Sequence, residues 1–145
     1  MEILKYRKAD ETCYAQTLTL RDRILRQPLG VTIYDENLDY EVENIFFGAF
    51  ENGELIGTVN YFTKVSKTAQ LCAFAVIADR QKSGIGRQLI QALFADLRAQ
   101  NFEKCIVEAR GTAVGFYEKM GFVLTSSAFK NERLGHEDFM MLIDL

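Results

Sequence analysis

The stretch Leu71-Cys-Ala-Phe-Ala-Val-Ile-Ala-Asp-Arg-Gln81-Lys-Ser-Gly84-Ile-Gly86-Arg-Gln-Leu-Ile90 decides how the chain is read. Leu71 to Ile77 is a short, unbroken apolar run, the pattern of a strand buried on both faces. Ile85, Leu89, Leu93 and Leu97 then repeat at helical spacing, with Ile90 and Phe94 beside them, so a core-facing helix follows. Between strand and helix lie two glycines, a hydroxyl, an amide and the cations Arg80, Lys82 and Arg87. The first N–H groups of a helix have no partner within it, and the helix dipole is positive at that end. Glycine lets such a backbone wrap an anion, and a phosphate or pyrophosphate suits the place. An ordinary turn, with Gly84 and Gly86 serving only the backbone, accounts for the same spacing.

The common nucleotide fingerprints fit poorly. No Gly-x-x-x-x-Gly-Lys-Ser/Thr occurs, and Gly-x-Gly-x-x-Gly fails because position 89 is leucine. Gln81-x-x-Gly84-x-Gly86 at the end of an apolar strand instead resembles the acyl-CoA-binding signature of the GNAT superfamily of N-acyltransferases, written Arg/Gln-x-x-Gly-x-Gly/Ala. A second stretch, Ala113-x-x-Phe116-Tyr117-Glu118-Lys119-x-Gly121-Phe122, is similar to that superfamily's Asn-x-x-Ala-x-x-Phe/Leu-Tyr-x-x-x-Gly-Phe. It lies one strand further on, and with the order of elements the likeness covers essentially the whole chain. One position departs from the pattern: Arg110 stands where asparagine is usual, which puts that asparagine's polar contact near the cofactor in doubt.

Length and composition set the frame. The chain has 145 residues, 48% of them hydrophobic, with one proline, which suits one domain over 1–145 with a real core. No apolar run approaches the ~20 residues a membrane helix needs, and Met1 to Lys8 does not resemble a signal peptide. Cys13, Cys72 and Cys105 are odd in number and widely spaced, which points to reduced thiols in a cytosol and away from a disulfide frame or zinc site. His136 is the one histidine, so no metal is expected. From Gln27 to Thr63 there is no lysine or arginine. Asp35, Glu36, Asp39, Glu41, Glu43, Glu51 and Glu54 give that segment −7 in a chain of net charge −3, so the remainder carries +4. An anionic cofactor at the basic loop and a cationic acceptor near the acids would suit this split, and so would a plain solvated surface. Nucleic acid is disfavoured.

Taken in order, Glu2 to Lys8 alternates as a first strand. Asp10 can cap a helix running to about Arg26, ended by Pro28-Leu29-Gly30. Residues 31–44 are ambiguous, a loop or a short helix on the acceptor side. Ile45–Phe50 and Leu55–Phe62 read as strands joined at Asn52-Gly53, a hairpin signal. Lys64 to Ala69 reads as a turn into the central strand. Asn101 closes the central helix, Lys104–Ala109 is a further strand parallel to the central one, and Gly121 suits a left-handed helix cap. Phe122–Phe129 and Phe139–Leu145 read as two closing strands.

The resemblance implies an α/β fold with a mixed, mostly antiparallel sheet of six to seven strands, a splayed central parallel pair and helices on both faces. It implies that the pantetheine arm of acetyl-CoA enters the gap near the backbone of Phe74 and Val76, with Phe116 and Tyr117 beside it. Main-chain N–H groups of Gln81, Lys82, Ser83, Gly84, Ile85, Gly86 and Arg87 would hold the pyrophosphate. It implies N-acetyl transfer to a primary amine by direct attack in a ternary complex, with Tyr117 as general acid toward the coenzyme A sulfur. A backbone N–H near Val76 could polarise the carbonyl. Cys72 and Cys105 read as buried small apolar residues. The base is open among Glu108, Glu41, Glu43, His136 and a bound water, with Glu108, at the end of its strand, taken as the working assignment. The alternative is a non-catalytic acyl-CoA-binding or sensor domain. The acceptor is a small-molecule or peptide amine, no membrane partner is expected, and monomer or homodimer stays open.

Overall fold

A computed structural model describes residues 1–145. The elements run β1 (Glu2–Tyr6), α1 (Glu11–Arg21), β2 (Ile45–Glu51), β3 (Glu54–Val65), β4 (Thr68–Val76), α2 (Ile85–Ala99), β5 (Lys104–Arg110), α3 (Val114–Lys119), β6 (Val123–Leu124), β7 (Phe129–Lys130) and β8 (Glu137–Asp144). One sheet in the order β1-β2-β3-β4-β5-β8-β6, with β7 also on β8, holds all eight strands. Only β4 and β5 run parallel.

α1 begins where Asp10 accepts a hydrogen bond from the Cys13 N–H. It runs on through a π-helical turn, Asp22–Arg26, and a short 3-10 turn, and Gly30 stops it at φ +75°. Asn52 and Gly53 both take positive φ, the geometry of the tight hairpin turn between β2 and β3. The apolar stripe of α2 (Ile85, Leu89, Ile90, Leu93, Phe94, Leu97) is buried against one sheet face. Residues 105, 107 and 109 of β5 join that core, as do Tyr117 and Phe122. The other face carries α1, packed on Tyr6, Phe46, Phe50 and Leu55.

Three segments differ from the pattern reading. β1 stops at Tyr6. Lys64 to Ala69 is not a long turn: β3 and β4 extend to a tight reversal at Ser66-Lys67, where Lys67 takes φ +62°. Phe122–Phe129 is not a strand. It contributes only the two-residue pieces β6 and β7, because its side chains at 123–125 are exposed and no apolar face holds it in register.

The site depends on how β4 and β5 part. They pair from Thr68↔Lys104 to Leu71↔Val107 and no further. Beyond Leu71, β4 follows β3 alone, while β5 follows β8 to Arg110↔Asp138. A bulge helps to turn β4 away. Thr58 faces Ala75 and Asn60 faces Cys72, so Ala73 and Phe74 together oppose Val59, and Ala73 takes φ +52°. An alanine held there costs ~1 kcal/mol or more, which the surrounding pairing must offset.

Candidate active site

The gap between the parted strands opens into a cavity of about 280 Å³. Alternation along β5 divides its walls. Val107 and Ala109 point to the α2 and α3 side, and Glu108 and Arg110 point to the α1 side. Tyr117, from α3, reaches the cavity from the first side, and Cys72, Glu41 and Arg21 line it from the second.

At the mouth of the gap, the loop before α2 is a cradle of free donors. The N–H groups of Gln81, Lys82, Gly84, Ile85, Gly86 and Arg87 have no acceptor in the protein, while that of Ser83 bonds Arg80 O. No side chain caps the helix. Lys82 at φ +69° and Gly84 at φ +89° take the left-handed conformation that recurs in anion-binding backbone concavities. A Cβ on Gly84 would meet nothing within 4 Å, so glycine is kept there by its backbone angle and leaves the cradle open. A Cβ on Gly86 would lie 2.7 Å from the Phe74 ring, so that glycine is kept by packing. The loop is anchored by its flanks: Gln81 donates to Val76 O at 2.9 Å, Ser83 to Arg80 O, and Arg80 grips Glu51 with both ends of its guanidinium. Arg80 is therefore committed to Glu51, and Lys82 and Arg87 are the loop's unpaired cations. Ile77 N–H bonds Ile56 O on β3, so by alternation the Val76 N–H faces the gap, where no strand receives it.

Tyr117 is buried among Phe74, Phe116 and Phe122, whose ring centroids lie 6.2, 5.4 and 5.4 Å away. Burial raises its pKa well above the ordinary phenol value, and no hydrogen bond to a neighbour offsets this. Cys72 donates to Asn60 Oδ1 at 3.0 Å, and burial pushes its thiol up to about 12, so it stays protonated. Cys105 is likewise pushed up to about 12 by burial.

Among the four side chains considered as a base, Glu108 lines the cavity and is exposed to it. Glu41 also lines it, but Arg21 donates to both carboxylate oxygens at 3.0 and 2.9 Å and Tyr14 adds a bond of 2.7 Å, all shielded from solvent. Glu43 lies elsewhere, exposed beside Arg7 at 3.5 Å. His136 lines the cavity with Nδ1 2.9 Å from Asp138 Oδ1, an ion-pair distance at an angle that makes no hydrogen bond. Of the seven acids in the 27–63 segment, five are matched by cations: Glu36, Asp39, Glu41, Glu43 and Glu51. Most of that negative charge is spent on holding the segment down.

The segment that follows α1 is held by Asp22. Its carboxylate accepts from Ile33 N–H at 2.8 Å and from Thr32 and Gln27 at 3.1 Å each. The Ile33 bond and then the Gln27 bond hold its pKa below the ordinary aspartate value. A carboxylate lowered by folding stabilises above its unfolded pKa, ~3.9, and loses that contribution as pH falls through the folded value. Asp22→Asn is therefore expected to melt lower than the wild type at pH 7, with the difference shrinking below about pH 4. A difference constant from pH 7 to 3, followed by thermal melts, would show that the charge is not what holds this segment.

The pattern reading had no signal for the bulge at Ala73. It likewise missed the pairing of Arg21 with Glu41 and the convergence of Arg26, Arg133 and Asp138 on the cavity, since these lie far apart in sequence.

A parted parallel pair, a cradle of free amides at its mouth and an unpartnered phenol beside it are the features of this gap. Residues 12–122 match the acetyltransferase (GNAT) family, and the chain belongs to it. By class it is an acyl-CoA-dependent N-acyltransferase. Solved structures agree on the fold. A Lactobacillus plantarum protein superposes with a TM-score of 0.87 at 17% identity, covering 99% of this chain and 97% of the other. An acyl-CoA N-acyltransferase from Pseudomonas aeruginosa gives 0.79 at 16% identity, with 97% of each chain covered. An aminoglycoside 6'-N-acetyltransferase complexed with coenzyme A gives 0.76 at 17%, covering 99% and 97%. No helix is long and apolar enough to cross a membrane.

Proposed function

We propose that the chain transfers an acetyl group from acetyl-CoA to a primary amine by direct attack in a ternary complex. The observation that carries this is the Tyr117 hydroxyl, which lines the gap with no protein partner, on the sheet face from which α2 presents its free amides. The diphosphate would sit on the N–H groups of residues 81–87, apart from that of Ser83, and the thioester would lie between β4 and β5. The Val76 N–H is aimed to polarise the carbonyl.

The amine then enters from the α1 face. Its nitrogen attacks the carbonyl carbon, the C–S bond breaks, and the departing sulfur takes the Tyr117 proton. Burial keeps that phenol protonated at neutral pH. The proton shed by the amine passes to Glu108, directly or through water, on the opposite side of the sheet from Tyr117. Two proton-transfer groups on opposite faces let one act on the leaving sulfur and the other on the attacking nitrogen. Cys72, held protonated, supports direct transfer over an acyl-cysteine.

A screen for thiol release with acetyl-CoA against amino acids, amino sugars, polyamines and lysine peptides tests this. The expected result is release with at least one amine, and a melting temperature that rises with coenzyme A, as for any ligand that binds only the folded state. A stabilised protein that releases thiol with none of them would be a binding domain instead.

A further inference from the structure

Of the four guanidiniums on the α1 face of the cavity, that of Arg110 alone is paired with no carboxylate. Arg26 and Arg133 share one acid, Glu36, at 2.5 and 3.0 Å. Arg110 has no acid within ion-pair distance. Its Nη2 makes only a long contact, 3.5 Å, with the Leu25 carbonyl, and Arg26 Nη1 reaches the same oxygen at 3.3 Å. Two guanidiniums thus converge on one neutral acceptor, although like charges repel, most of all away from water.

None of the other acids of the cavity pairs with Arg110. Asp138 stands opposite Arg110 in register, where Oδ2 accepts from Asn131 at 2.9 Å and Oδ1, 2.9 Å from His136 Nδ1, makes no hydrogen bond. Glu41 is held at both oxygens by Arg21. Glu108 is exposed on the same strand face two residues earlier. Burial pulls the Arg110 pKa below its ordinary value, against the opposing effect of the Asp138 carboxylate, which outweighs that of the Arg26 charge.

We propose that Arg110, with Arg26 and Arg133 behind it, binds a carboxylate of the amine acceptor, so that the substrates are compounds of amino-acid type carrying both an amine and a carboxylate. A guanidinium fork pairs with a carboxylate through two parallel bonds. A cavity of about 280 Å³ suits a ligand of this size. The register also fits: Arg110 and Glu108 project from one face of β5, so a carboxylate on Arg110 leaves the amine towards Glu108 and the gap. The inference rests on reading the gap as the acceptor site. A carboxylate on the acyl group, as in succinyl-CoA, is the other source of the same chemistry.

Calorimetry on the full chain saturated with coenzyme A separates these without requiring turnover. N-acetylglycine and N-acetyl-leucine are titrated against their carboxamides, in the wild type, Arg110→Gln and Arg110→Lys. Carboxylates are expected to bind roughly 10- to 100-fold more tightly than amides in the wild type. Arg110→Gln erases that difference and Arg110→Lys keeps part of it, with coenzyme A binding as the check that each variant is folded. Equal affinity for acid and amide in the wild type, or a preference that survives Arg110→Gln, overturns the assignment. So does a selective loss of succinyl-CoA over acetyl-CoA affinity in Arg110→Gln, which would place the carboxylate on the acyl group. Because this readout is binding, it stands or falls separately from thiol release.

Discussion

Gly84→Glu is expected to abolish coenzyme A binding while leaving the fold intact. Six main-chain N–H groups at the start of α2 have no acceptor, and the position of Gly84 is central among them. A carboxylate there would stand where the diphosphate belongs, and two unit charges 4 Å apart repel by about 4 kcal/mol at the effective dielectric of a protein surface. That corresponds to roughly a thousandfold in affinity before any steric loss. The fold is spared because a Cβ at this position meets nothing within 4 Å. The residual cost is the positive φ of +89°, on the order of 1 kcal/mol for a side chain. Gly84→Ala carries the same backbone strain without the charge, so it should bind coenzyme A more weakly than the wild type but measurably. Calorimetry on the three proteins decides the matter: affinity in Gly84→Glu within tenfold of the wild type would mean the diphosphate is held elsewhere.

This cradle was legible in sequence because everything it needs is local. An apolar run, a Gly-x-Gly turn and a stripe at 85, 89, 93 and 97 specify strand, loop and helix in one continuous stretch, and free N–H groups follow from where the helix starts. Tyr117 was legible for a related reason, since Phe116, Phe122 and the left-handed Gly121 cap fix it on a short helix. The acceptor side was not. Its walls are assembled from Arg21 and Arg26 at one end of the chain, Glu36 and Glu41 after it, and Arg133 and Asp138 at the other end. Their charges look like a split between an acidic segment and a basic remainder until tertiary pairing matches five of the seven acids. What the pairing leaves over is Arg110, the one residue at which the second motif departs from its family pattern. A bulge with alanine at φ +52° has no local signature either, because only the pairing of Thr58 and Asn60 across the ladder forces it.

The second large effect is expected from Tyr117→Phe, a fall in kcat of about 10²- to 10⁴-fold, the usual contribution of a positioned general acid. The affinity for coenzyme A should change little, because the ring would keep its packing on Phe74, Phe116 and Phe122. Stability should hold or rise slightly, since the lost hydroxyl bonds no protein group and its removal leaves no partner unpaired. A purely structural role for Tyr117 predicts the reverse pattern, a lower melting temperature with turnover preserved. The pH profile supplies a second reading. An acid works in its protonated form, so its limb is a loss of rate as pH rises through its pKa. Burial raises the Tyr117 pKa, so that limb is displaced above the ordinary tyrosine range near 10, and the wild-type kcat should show no falling limb below it. If Tyr117→Phe turns over within threefold of the wild type, the proton reaches the sulfur from water. The phenol would then be a wall of the gap rather than a participant in it.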